Sequence, residues 1–219
     1  LKKQIMPTQE KLGAPSATSD YFAVFSLPRK LSIDAPALEK QFYKLSRKLH
    51  PDLHAQATVE EQAEILAQSS QLNDAYRILK NPVSRVEYLL EVLGVRIDEN
   101  NAAKKTDAPR VPADLLEEVF ELNMQLEEMR ANKKMGEDDP QLRADLEKAQ
   151  TQFTSQLAAV DEDLHQTGKA WDSALDREDE SAKAVIVKDL AALLDRRGYL
   201  RNLVRDVNEA LAPTGLVNV

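Results

Sequence analysis

The sequence contains no cysteine. That excludes a disulfide, and it excludes a metal or cluster held by this chain's own thiolates. Glycine is scarce, with 6 residues in 219, and alternating β-branched runs of strand length are missing, which argues against a sheet. No apolar run approaches the length of a membrane span, and the first 19 residues hold no apolar core of a secretory signal. With a net charge of −8 and no basic stripe, nothing offers a track for a nucleic-acid backbone. What is there is 42% hydrophobic and 30% charged, the composition of a helical globular protein long enough for one or two domains. The charge is unevenly placed. Residues 20–95 hold 9 basic and 10 acidic residues, whereas residues 112–219 hold 13 basic and 23 acidic ones. Two halves of different charge predict two domains with different partners.

Taken in order, residues 1–19 are polar, with Gly13, Pro15 and a Ser/Thr cluster, and are expected to be a disordered arm. They contain no Arg, unlike a mitochondrial targeting segment. A short helical segment with Tyr21, Phe22, Phe25 and Leu27 stops near Pro28. Asp34 is a suitable N-cap, with Pro36 tolerated in the first turn, for a helix over about 35–49. Leu38, Phe42, Leu45 and Leu49 share one face of that helix, and Lys44, Arg47 and Lys48 lie beside it in water. Pro51 disfavours helix at His50 and cannot continue the ladder, so an exposed His50-Pro51-Asp52 loop follows. Thr58 and Glu61 form a capping box that starts another helix, with Ile65, Leu72, Ala75 and Leu79 on its buried face. Asn81-Pro82 stops it. Val86, Leu89, Leu90 and Leu93 line a further helix closed by Gly94.

Residues 95–111 read as a linker. Pro112, with Asp114, Glu117 and Glu118, opens a helix whose seam is Leu115, Val119, Leu122, Leu126 and Met129. Gly136 marks a turn, and Asp139-Pro140 starts a long helix with apolar positions 142, 146, 149, 153, 157, 160 and 164, extended by Trp171 and Leu175, with Gly168 a weak point. A last helix that starts near Asp179 and ends before Pro213 carries the seam Ile186, Leu190, Leu193, Leu200, Val204, Val207 and Leu211. Three long amphipathic helices with short connections predict a three-helix bundle. The first of them has a second apolar stripe off the seam, Leu116, Phe120 and Met124, flanked by Glu117, Glu121 and Glu128. On the last helix, Tyr199 and Leu203 also fall off the seam, beside Gly198. An apolar patch with an acidic rim is a candidate partner surface.

The His50-Pro51-Asp52 tripeptide behind a basic helix resembles the J-domain signature. The segment Asn81–Leu90, with its Arg85-x-x-Tyr88-Leu89-Leu90 pattern, and the opening Asp20-Tyr21-Phe22 with Phe25 and Leu27, resemble more narrowly the HscB/Jac-type J-domain co-chaperones of iron–sulfur cluster assembly. The resemblance covers about residues 20–211. It implies an all-α, L-shaped fold: a J-domain over 20–94, a linker over 95–111, a three-helix bundle over 112–212 and a tail over 213–219. It further implies a co-chaperone rather than an enzyme, with no catalytic residue, no cofactor and no resident metal. The partners implied are a heat-shock-seventy chaperone of the HscA or DnaK type and an iron–sulfur scaffold protein of the IscU type, with no nucleic acid and no membrane.

By position in the family, Asp52 contacts an Arg of the chaperone while His50 and Pro51 shape the loop, and Lys44, Arg47 and Lys48 steer encounter with an acidic surface. Leu116, Phe120, Glu121, Met124, Glu128 and Tyr199 face the scaffold. Two positions depart from the pattern: Leu53 stands where a basic residue is common, and Met124 where a polar or acidic one is expected. Human-type members carry an added N-terminal cysteine-rich segment absent from this sequence, so a bacterial cytoplasmic location is expected rather than a mitochondrial one. Two other readings stand beside this one. One is a J-protein with a different client. The other is a metal-dependent hydrolase using His50, Asp52 and His54, for which imidazole and carboxylate are suitable ligands but a further ligand is missing.

Overall fold

A computed structural model describes residues 20–54, 56–95 and 111–212. The arm at 1–19, nearly all of the linker, and the tail at 213–219 lie outside the described residues. All regular structure among the described residues is helical, as expected: α1 (Tyr21–Val24), α2 (Ala35–Lys48), α3 (Val59–Lys80), α4 (Pro82–Val92), α5 (Leu116–Met135), α6 (Pro140–Asp176) and α7 (Glu180–Leu211). Single 3-10 turns occupy Pro51–His54 and Ala113–Leu115.

The helix ends follow local chemistry. Asp34 caps α2 through the Ala37 N–H at 3.1 Å, with Pro36 in the first turn. The Thr58/Glu61 capping box is closed in both directions, at 3.2 and 2.9 Å. Asp139 caps α6 through the Gln141 and Leu142 N–H groups, with Pro140 as first residue. Asp179 caps α7 through the Ala182 N–H at 2.9 Å. Gly136 ends α5 in the left-handed region, φ 72°, where a β-carbon would be strained.

The chain forms two compact units. Of the described residues, the first contains those from Asp20 to Arg29 and from Ile33 to Asn81. Here α1 and α2 both pack on α3, around Phe22, Phe25, Leu38, Leu72, Ala75 and Leu79. Phe42 of α2 stacks on Tyr76 of α3 with ring centroids 4.1 Å apart and planes 13° from parallel. The burial on α3 begins at Leu72; Ile65, expected inside, is half-buried, because the first half of α3 runs beside the loop rather than over the core.

The second unit is Lys30–Ser32 together with Pro82 onward. Its spine is the α6–α7 hairpin. At 37 residues α6 spans about 55 Å, whereas α5, at 20 residues, spans about 30 Å. So α5 covers one half of the hairpin. Cross-links fix its register: Glu118 accepts from Gln152 and Gln156 of α6, Asp114 pairs with Arg196 of α7, and Lys133 donates to the Ala212 carbonyl. The remaining half is covered by α4, which packs on both α6 and α7 through Val86, Leu89 and Leu90.

The α5 seam is buried as read from the sequence: Leu115, Val119, Leu122, Leu126 and Met129. The α7 seam is corrected. Its buried positions are Leu190, Leu194, Leu200, Leu203 and Val207, while Ile186, Leu193, Val204 and Leu211 are half-buried. The physical reason is a change of neighbour along the helix. α7 is flanked by α4 in one stretch and by α5 in another, so its buried face does not hold a single period. Leu203 is therefore core, not part of an outer stripe.

One polar cluster is buried in this unit. Asp172 of α6, 8% exposed, accepts from the backbone N–H groups of Leu31 at 2.6 Å and Ser32 at 2.8 Å. Arg85 of α4, 5% exposed, donates to the Leu31 carbonyl at 2.5 Å. Burial holds the Arg85 guanidinium below its ordinary pKa, an effect that the nearby Asp172 carboxylate opposes. Leu31 lies over Gly168, where an added β-carbon would already stand 3.4 Å from the Leu31 Cβ. Gly168 is thus a buried contact point within a continuous helix.

Candidate functional site

The loop between α2 and α3 is built by a proline stop. Leu49 caps α2 by donating to the Leu45 carbonyl, and Pro51 then opens the 3-10 turn. The Leu53 N–H donates to the His50 carbonyl at 3.0 Å. The Asp52 N–H donates to Nδ1 of His50 at 3.3 Å, which sets the neutral His50 ring with its proton on Nε2. The Asp52 side chain is 86% exposed, and one of its oxygens stands 3.5 Å from the same Nδ1. Lys44, Arg47 and Lys48 are all exposed on the last turns of α2. The loop therefore shows a carboxylate at the end of a helix that otherwise shows positive charge. Leu53, 69% exposed, adds an apolar side chain next to it.

His54 was singled out in the sequence only as a metal ligand. In the structure its Nε2–H donates to the Lys48 carbonyl at 2.7 Å. The ring is turned back onto the end of α2, so His50, Asp52 and His54 do not converge on a common ion. Among the described residues no group of three or more His, Cys, Asp or Glu side chains could hold a metal. Sequence could have flagged this bond only as a His beyond a helix end, where free carbonyls need donors.

The second candidate surface lies on α5. Leu116, Phe120 and Met124 are 55%, 68% and 61% exposed and succeed one another every four residues, so they form one stripe. Glu117, Glu121 and Glu128 are exposed beside it. The Asp114–Arg196 pair, 2.8 Å apart, ties the start of this helix to α7, and Tyr199 lies one turn beyond Arg196. Donation from Arg196 holds the Asp114 carboxyl below its ordinary pKa. Tyr199 is half-buried, and burial, reinforced by Asp206, raises its phenol above its ordinary value. A β-carbon on Gly198 would meet nothing within 4 Å, so the helix leaves space beside Tyr199. No described helix is long and apolar enough to cross a membrane.

Comparison with known proteins supports a J-domain followed by a helical region. The DnaJ domain family matches residues 20–88, which contain α1 to α3 and the loop. The solved structure of chaperone HscB from Vibrio cholerae is similar over 89% of this chain and 100% of its own, at 25% identity and a TM-score of 0.50. Residues 20–88 are thus a DnaJ domain, and the chain as a whole is similar to HscB. The crystal structure of human co-chaperone protein HscB shares the fold, at 23% identity and a TM-score of 0.54, over 90% of this chain and 84% of that one. The J-domain together with these likenesses supports a J-type co-chaperone, and the helical C-terminal region is the part that a J-domain alone does not account for.

Proposed function

We propose that this chain binds an iron–sulfur scaffold protein of the IscU type, brings it to a heat-shock-seventy chaperone of the HscA or DnaK type, and stimulates that chaperone's ATPase. In this reading residues 20–94 act as the J-domain, 95–111 as a linker and 112–212 as the scaffold-binding bundle. Asp52 makes the charge-assisted contact to the chaperone, with His50 and Pro51 shaping the loop. Lys44, Arg47 and Lys48 speed encounter with an acidic surface. Leu116, Phe120 and Met124 supply apolar contact to the scaffold, Glu121 and Glu128 a charged rim, and Tyr199 an aromatic anchor. The chain carries out no bond chemistry itself. It raises the effective concentration of one partner at the other by holding both. A bacterial cytoplasm is the setting that fits.

The observation that carries the reading is the exposed Leu116–Phe120–Met124 stripe in a chain that also presents Asp52 at the end of a basic helix. A steady-state ATPase assay of a partner chaperone, with and without the chain and the scaffold, tests it. Stimulation by the chain, raised further by scaffold, is the expected result. In a pull-down with scaffold, Phe120→Ala with Tyr199→Ala is expected to weaken binding by at least about 30-fold, as loss of two anchors should. Intact stimulation with scaffold binding undiminished in the double variant would reject the α5 face. Stimulation without any scaffold binding would point to a different client.

A further inference from the structure

We propose that His54 is a positioning residue for the chaperone-stimulating loop. Its imidazole ties the far end of the Pro51–His54 turn to the end of α2, and so sets how Asp52 is presented. The proposal rests on the reading of Asp52 given above.

The argument starts from the last carbonyls of α2, which have no intrahelical donor. Lys48, the final residue of that helix, has its carbonyl oxygen taken up by Nε2–H of His54, six residues on, at 2.7 Å. That bond spans the whole presenting segment, from Leu49 to Leu53. Two further bonds continue from it: the Ala57 N–H donates to the His54 carbonyl at 3.0 Å, and the Gln62 side-chain amide donates through Nε2 to the Ala57 carbonyl at 3.1 Å. Gln62 belongs to the first turn of α3, beside the Thr58/Glu61 capping box. The chain after Asp52 is therefore fastened to α2 through the His54 ring and to α3 through the Ala57 carbonyl. Asp52 sits between Lys48 and His54, the two ends of the first of these bonds, with its carboxylate in water.

A flexible loop must be ordered on binding, and that ordering subtracts from affinity; a loop held ready does not incur it. The Nε2 atom is a donor in the tautomer this bond selects and also in the cation, so the fastening needs only an N–H at that place. A glutamine amide nitrogen reaches a similar distance from the backbone. An alanine supplies nothing.

The test uses the full chain in four forms: wild type, His54→Ala, His54→Gln and Asp52→Asn. Two quantities are read: amide hydrogen exchange at Leu53 and Ala57, and the concentration giving half-maximal stimulation of a heat-shock-seventy ATPase. In His54→Ala, loss of one hydrogen bond is expected to speed loop exchange and to raise the half-maximal concentration by about fivefold each, with the plateau kept. His54→Gln should return both quantities to within about twofold of wild type, which a purely steric role for the ring would not allow. Unchanged exchange in His54→Ala overturns the proposal. So does faster exchange with an unmoved dose curve, or a His54→Gln that behaves as His54→Ala. If wild type and Asp52→Asn stimulate alike, the reading of Asp52 itself fails, a result distinct from any of these.

Discussion

Asp52 and Asp172 are the same side chain put to different uses. Asp172 lies buried in the second unit, where it receives two backbone N–H groups from Leu31 and Ser32 and lies near a buried guanidinium. Asp52 stands at the tip of the first unit, 86% exposed, with the His50 ring as its near neighbour at 3.5 Å. A buried carboxylate is tolerated only when its acceptor capacity is satisfied, and then it defines one arrangement of the chain around it. An exposed carboxylate contributes little to stability and keeps its capacity for another molecule. The difference teaches where to look for function in this protein: in the charge left in water on a rigid support, not in the charge with the most bonds.

The sharpest way to break that contrast is to remove Asp172. In Asp172→Ala two N–H groups lose their acceptor and Arg85 loses the nearby negative charge, so the second unit should lose about 3–5 kcal/mol by chemical denaturation. Asp172→Asn keeps one acceptor oxygen and should lose less. A cost no larger than that of an ordinary surface change, about 0.5 kcal/mol, would mean the cluster does not hold Leu31 and Ser32 in place.

The complementary change is Asp52→Asn. Stability should stay within about 0.5 kcal/mol of wild type, since the side chain is exposed. Loss of a contact to a charged partner group, about 1.5–3 kcal/mol, should reduce ATPase stimulation roughly ten- to a hundredfold, while scaffold binding is unchanged. Full stimulation by Asp52→Asn would dissolve the contrast from the other side.

Much of this was legible in the sequence, and what was not has a common cause. Helix ends were readable because Asp34, Thr58, Asp139 and Asp179 act on backbone within three residues. The α5 seam and its outer stripe were readable because one helix meets one neighbouring pair at a constant period. The α7 seam was misjudged by one position at Leu193/Leu194 and at Leu203/Val204 because the neighbours change along that helix. Asp172 goes unnoticed in the sequence, and Arg85 stands out there only as part of the Arg85-x-x-Tyr88-Leu89-Leu90 segment, because their partners, Leu31 and Ser32, lie far away in sequence. The one available signal was Gly168, four residues before Asp172 and thus on the same face, next to the buried Trp171. A missing side chain beside an acid on a core face marks a close approach by another segment. His54 was read for its ligand chemistry when its nearer use was as a donor to a helix end.

The smallest expected effect concerns a third aspartate, placed between the two extremes. Asp114 is exposed and held by Arg196, which keeps its folded pKa below the ordinary 3.8. A depressed carboxyl pKa means that the pair stabilises the fold fully above the unfolded value and loses that contribution as pH falls through the folded one. Protection of the amides in the first turns of α5, corrected for intrinsic exchange rates, should therefore be greater in wild type than in Asp114→Asn at pH 7 and should converge with it once the pH falls below the folded value. The gap at pH 7 should also shrink in high salt, because an exposed pair is screened. If the gap persists unchanged into acid, the tie between α5 and α7 is not electrostatic. The start of the Leu116–Phe120–Met124 stripe would then be held by the burial of Leu115 and Val119 alone.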